Sequence, residues 1–133
     1  MRTVGYARKS LTSKLGVKPG DVILTIGAPS HYRALVAPLP DGAEVTDDVQ
    51  GPAIVHAFAR NRAALEAMAT RVVRLPRPGG ALWLFWPKKS SPLYEDLSEN
   101  GVREVLLPTG WVDVKVCAVD AEWSGLKFLR RRG

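Results

Sequence analysis

The chain is poor in the side chains that bind metals or form cross-links. Its 133 residues include one cysteine, Cys117, and two histidines, His31 and His56. A lone cysteine excludes an internal disulfide and a cysteine-built zinc site. Two histidines with no acidic motif at fixed spacing offer no metal centre. The scarcity of cysteine fits a reducing compartment, and the expectation is a cytoplasmic protein. No apolar run reaches the ~18 residues that a membrane-spanning helix needs. The first residues, MRTVGYARKSLTSKLG, are basic but lack the continuous apolar stretch of a signal peptide. The order Gly-x4-Gly-Lys-Ser/Thr is also missing, so Lys88-Lys89-Ser90-Ser91 is not a nucleoside-triphosphate loop.

What is present is an ordinary globular composition, 46% hydrophobic and 24% charged, which argues against disorder. The length suits a single domain over 1–133, with 1–7 and 131–133 expected to fray. The formal charge of +6 hides alternating blocks. Residues 57–92 hold seven basic and one acidic residue, whereas 93–126 hold two basic and seven acidic. Residues 41–56 are acidic, and Lys127 to Arg132 form a basic tail. The expectation is that the 57–92 block gathers at a ligand-binding edge, with the acidic blocks elsewhere.

Glycine and proline punctuate the chain. Ser10 to Leu15 predicts a short helix stopped by Gly16, and Val17-Lys18-Pro19-Gly20 a type II turn. The apolar run 21–26 predicts a strand covered on both faces. Residues 30–37 predict a short helix capped by Ser30. Residues 43–46 are a weak strand and 52–59 a better one. Asn61 caps a helix to Val73 with Leu65, Met68, Ala69, Val72 and Val73 as its apolar stripe. Residues 81–86 are apolar throughout and predict a central strand. Asp96 and Glu99 mark the start of a helix to about Leu107. Over 112–119, Val112, Val114, Val116 and Ala118 alternate with Asp113, Lys115, Cys117 and Val119, so Asp113 and Lys115 should pair on one face. A loop over Asp120 to Gly125 then leads to an antiparallel return over 126–130. The pattern predicts a three-layer α/β sandwich, parallel but for a C-terminal hairpin.

Two segments carry a resemblance. LGVKPGDVIL at 15–24 and RPGGALWL at 77–84 are similar to their counterparts in Rossmann-like AdoMet-dependent methyltransferases. WPKKSS at 86–91, LPTGWVD at 107–113, KVCAVD at 115–120 and EWSGLKF at 122–128 resemble a family of short bacterial proteins, domain of unknown function 3052, across nearly the whole chain. That family implies a Rossmann-like domain with no established activity. The first strand departs from the methyltransferase pattern, because Gly27-Ala28-Pro29-Ser30 holds one glycine and a proline where an amide donor would serve. This argues against AdoMet as cofactor and more strongly against methyl transfer. Asp47 or Asp48 stands where a ribose-binding carboxylate would be sought.

Ligands of open α/β sheets sit at the carboxyl ends of the strands. The loops there should bring together Gly27, Ser30, His31, Arg33, Arg60, Arg62, Lys88, Lys89, Ser90 and Ser91 around a small anionic or nucleotide-like ligand. Trp86 reads as core and His56 as a sheet residue. Cys117 reads as an inert filler and Trp123 as a packing anchor or partner surface. The leading expectation is a non-catalytic binding module. The alternatives are a minimal AdoMet-dependent methyltransferase, or a nucleic-acid or protein interaction domain working through the basic edge and tail.

Overall fold

A computed structural model describes residues 10–131. The expected fraying at 1–7 and at 132–133 lies outside those residues. Arg131 lies within them and donates its backbone N–H to Gly110 O at 2.7 Å.

Six strands form one sheet: β1 (Val22–Ile26), β2 (Glu44–Thr46), β3 (Ile54–Phe58), β4 (Ala81–Pro87), β5 (Trp111–Ala118) and β6 (Trp123–Arg130). Their spatial order is β2-β1-β3-β4-β6-β5. The first four are parallel, and β6 runs antiparallel to both β4 and β5. β3 is buried along its whole length and β4 over all but its first residue, as unbroken apolar runs require.

Helices cover both faces. α3 (Arg62–Val72) and α4 (Glu99–Leu106) press Leu65, Ala69, Val72, Val102 and Leu106 onto an aliphatic layer with Val55, Leu82 and Leu84. The other face is aromatic, with Tyr32, Phe58, Trp83, Phe85 and Trp123 packed together. It is covered by two four-residue helices, α1 (Leu11–Lys14) and α2 (Tyr32–Leu35). Trp83 Nε1 donates to Leu15 O at 3.1 Å and so fastens the end of α1 to the sheet. Trp123 is a packing anchor, and Cys117 is buried beside it, with burial pushing its thiol pKa up.

Four local expectations change. Ser30 does not cap α2, whose N-cap is His31 with no side-chain bond. Ser98, not Asp96, caps α4 by accepting from Gly101 N, while Asp96 accepts from Arg62 N across the loop. The 120–125 loop is also shorter, because β6 begins at Trp123. The β5 alternation fails for a clear reason. An irregularity between Asp113 and Lys115 shifts the register, and one extra residue sends the side chains beyond it to the opposite face. Trp111 therefore packs in the aliphatic layer and Cys117 in the aromatic one. Asp113 pairs with Arg103 of α4, while Lys115 donates to Lys14 O beside α1, so the two do not form a same-face pair. Val112, Val114 and Val116 are left exposed.

Candidate functional site

The chain leaves β1 for β2 on one side and returns to β3 on the other, so the order of strands reverses at β1. A crevice opens there, outside the carboxyl ends of the strands. Gly27 makes the first turn out of β1. Its φ is +67°, and a β-carbon there would lie 3.2 Å from Phe58 O of the neighbouring strand. Both the left-handed backbone and the close approach select glycine. A cavity of about 500 Å³ follows, lined by Thr25, Gly27, Ala28, Pro29, Ser30, Tyr32 and Arg33 from the β1 side and by Val45, Thr46 and Asp47 from β2. That volume lies within the range of small-molecule sites, about 300–1,000 Å³.

The wall behind this cavity is tied to the core. Tyr32 is buried, and its hydroxyl lies 2.7 Å from His56 Nδ1. His56 sits in β3 with no exposed surface, and its Nε2 has no partner among the described residues. Burial pulls its pKa down to about 3, so the ring stays neutral. Burial also raises the Tyr32 phenol well above its usual value. The pair therefore holds its protons at ordinary pH and serves as a fixed wall.

The anticipated cluster of cations and hydroxyls is divided by the fold. Gly27, Ser30 and Arg33 line the first cavity. Lys88 and Lys89 line a second one of about 520 Å³ with Trp86, Ser98, Glu99, Asn100 and Ser124, at the end of β4 and the start of α4. Between them, His31 Nε2 and Asp120 Oδ2 stand 3.1 Å apart and join the β1 loop to the hairpin turn. Asp120 also accepts the backbone N–H groups of Glu122 and Trp123. Those bonds and His31 hold its pKa below the usual carboxylate value despite partial burial, which opposes the shift. Arg62 is engaged by Glu66 and Glu104. Arg60 and Ser90 are exposed, while Ser91 is buried and accepts Leu93 N within its own turn.

The acidic 93–126 block does not lie elsewhere. Glu95 accepts from Asn61, Asp96 from Arg62 N, and Glu104 from the Arg62 guanidinium, all at the start of α3. The 57–92 basic block is itself split along α3. Arg60 and Arg62 lie at its carboxyl-edge end, while Arg71 in its last turn, and Arg74 and Arg77 beyond it, lie toward the opposite edge. Thr25, Tyr32, Val45 and Thr46 line the cavity but are not brought forward as site residues by the sequence. Thr25 is the last residue but one of β1 and Thr46 the last of β2, and the parallel pairing of the two strands, with Leu24 opposite Thr46, brings both to the same end of the sheet.

No family model matches the chain, and no curated protein matches it. Solved structures do. A SAM-dependent methyltransferase from Aquifex aeolicus aligns with a TM-score of 0.63 and 15% identity, covering 89% of this chain and 86% of that one. A chain from a Haloferax volcanii complex that contains the Trm112 methyltransferase activator aligns with a TM-score of 0.61 and 14% identity, covering 97% of this chain and 92% of that one. A Bordetella parapertussis protein aligns with a TM-score of 0.63 and 10% identity, covering 92% of this chain and 66% of that one. At these identities the likeness shows the fold, a Rossmann-like sheet of the methyltransferase type with an antiparallel C-terminal hairpin. No helix among the described residues is long and apolar enough to cross a membrane.

Proposed function

We propose that the chain binds a small ligand carrying a nucleoside, of the adenosyl class, in the cavity at the carboxyl ends of β1 and β2. The observation that carries this reading is Asp47. A carboxylate just past β2 shares one cavity with the glycine turn of β1, with hydroxyls from Thr25, Ser30 and Thr46 and the Arg33 guanidinium. Such a set suits a ribose diol on Asp47 and a carboxylate or phosphate on Arg33. AdoMet fits by this chemistry, since it holds both a ribose and a carboxylate. When bound it would supply an electrophilic methyl group.

Methyl transfer is the second reading, favoured by the fold shared with SAM-dependent methyltransferases. Pro29 weighs toward binding alone, because it removes one amide donor from the loop that lines the cavity. Membership of the short bacterial family suggested by WPKKSS and EWSGLKF belongs to the same proposal. Lys88 and Lys89 then serve the second cavity, as a site for an anionic group of a second reactant or partner.

Titration calorimetry with AdoMet, AdoHcy and ADP tests the reading. Saturable binding of at least one is expected, weakened at least ~10-fold in Asp47→Ala. No heat with any of the three, or full affinity in Asp47→Ala, would overturn it. Transfer of labelled methyl groups to a cell extract would favour the second reading.

A further inference from the structure

The opposite edge of the sheet, at the amino ends of the parallel strands, carries a second set of cations. A hollow of about 270 Å³ lies between the end of α1 and the starts of β1, β3 and β4, with Lys18, Arg77 and Lys127 in its lining. A neighbouring hollow of about 340 Å³ shares Gly79, Gly80 and Leu129 with it and continues to Arg130 and Arg131. We propose that this edge is a docking track for the phosphate backbone of a nucleic acid, with Lys18, Lys127, Arg77 and Arg131 facing successive phosphates.

The cations are gathered without relief. Among the described residues, no ion pair engages Lys18, Arg77, Lys115, Lys127 or Arg131, whereas Arg62 and Arg103 each hold two carboxylates. Asp21 is the one carboxylate in the lining, and its Oδ2 accepts Lys18 N at 2.9 Å. Lys127 is partly buried, with its ammonium close against Gly16. Burial lowers its pKa, and the Lys115 and Lys18 charges lower it further. Like charges held together cost free energy that a bound polyanion offsets.

The shape favours a chain over a single ion. The cations spread over two adjoining hollows instead of converging on one point. Arg130 is excluded from the track, since its guanidinium sits 4.7 Å from the Trp111 ring centroid and donates to Val73 O. That anchoring fixes the end of β6, from which Arg131 emerges. The lining has no aromatic side chain to stack a base, so recognition should run through the backbone and be indifferent to sequence.

The test is fluorescence anisotropy with a labelled single-stranded RNA of about 20 nucleotides, longer than common site sizes of ~4–16. Four phosphate contacts predict that log K falls against log salt with a slope of about −3. Arg77→Gln/Arg131→Gln replaces two exposed side chains. It should weaken binding at least ~10-fold at low salt and flatten the slope by about 1.4. Lys88→Gln/Lys89→Gln, at the other edge, should leave both unchanged. Lys18→Gln is a further exposed variant expected to act in the same direction, and circular dichroism confirms that each variant folds. Absence of binding at ~50 mM salt, loss in Lys88→Gln/Lys89→Gln instead, or equal binding of polyglutamate would each overturn the proposal.

Discussion

At the carboxyl ends of the strands, Arg62 is held between Glu66 and Glu104, His31 faces Asp120, and Asn61 donates to Glu95. At the amino ends, Lys18, Arg77, Lys127 and Arg131 stand without an ion pair among the described residues. The first arrangement fixes loops. Its paired charges cancel at short range, while Arg33, Arg60, Lys88 and Lys89 have no ion pair among the described residues and stay open to a ligand. The second keeps its field, which reaches over a Debye length of about 8–10 Å in ordinary salt. One sheet thus presents a carboxyl edge where carboxylates and cations interleave around a small-molecule cavity, and an amino edge whose cations outnumber its carboxylates, suited to a polyanion. Net charge alone cannot distinguish the two.

The largest expected effect concerns the wall of the carboxyl-edge cavity. His56 has a folded pKa of about 3 against an unfolded value near 6.5. As pH falls through that interval, the unfolded chain takes up a proton that the folded one refuses. Stability from this group is complete above about 6.5 and lost toward 3, at roughly 1.4 kcal/mol per pH unit within the window. Denaturant melts of the protein and of His56→Asn, taken between those limits, should show a steep pH slope for the first and a shallower one for the second. Equal slopes would mean that the Tyr32–His56 wall does not control acid stability.

Next comes Gly27→Val. A β-branched residue at φ +67°, with its β-carbon 3.2 Å from Phe58 O, is strained twice. A loss of about 1–3 kcal/mol is expected, together with loss of adenosyl-ligand binding. RNA binding should persist in this variant below its melting temperature. If both activities fall together, the two edges are not independent and the comparison fails.

How far the sequence reveals this division can be traced to particular residues. The continuous apolar run of β4, the Asn61 cap and the glycine turns are local signals, and each element they mark is present in the fold. The irregularity at Asp113/Lys115 is not local in that sense. A single unpaired residue leaves the val-x-val alternation intact in the sequence while reversing the faces in space. Asp96 is the cap that the sequence suggests, and Ser98 takes its place because Asp96 instead accepts Arg62 N from another helix. The acidic block over 93–126 could be counted in advance, but its position against the start of α3 is a tertiary fact. So is the meeting of Asp47 with Gly27, which depends on pairing a three-residue strand.

A smaller effect is expected from Lys127. Its folded pKa lies below the usual 10.5, so the ammonium is disfavoured in the folded state. That penalty is fully present below the folded pKa and is relieved as pH rises from there to about 10.5. Lys127→Met keeps the aliphatic stem and removes the charge. Its Tm at neutral pH should exceed that of the parent by up to about 2 °C, since solvent screens a partly exposed group. The gap should close toward alkaline pH and narrow on addition of RNA, which binds the parent more tightly than the variant. A lower Tm for Lys127→Met would show that the lysine is compensated and the amino edge is not under charge strain.

The smallest effect converts one edge toward the other. Glu66→Gln/Glu104→Gln removes both carboxylates from Arg62, whose pKa they raise by hydrogen bonding. All three side chains are substantially exposed, so little stability depends on them. Freeing the guanidinium should nonetheless add an uncompensated cation to those already at the carboxyl edge, beside the start of α3. In the Arg77→Gln/Arg131→Gln background, where the amino edge is weakened, the RNA affinity should recover by about two- to threefold at low salt. Near 0.5 M salt, where screening shortens its reach, that gain should vanish. If affinity does not move, pairing with carboxylates is not what silences the carboxyl edge, and the loop geometry around Arg60 and Arg62 must exclude the polyanion instead.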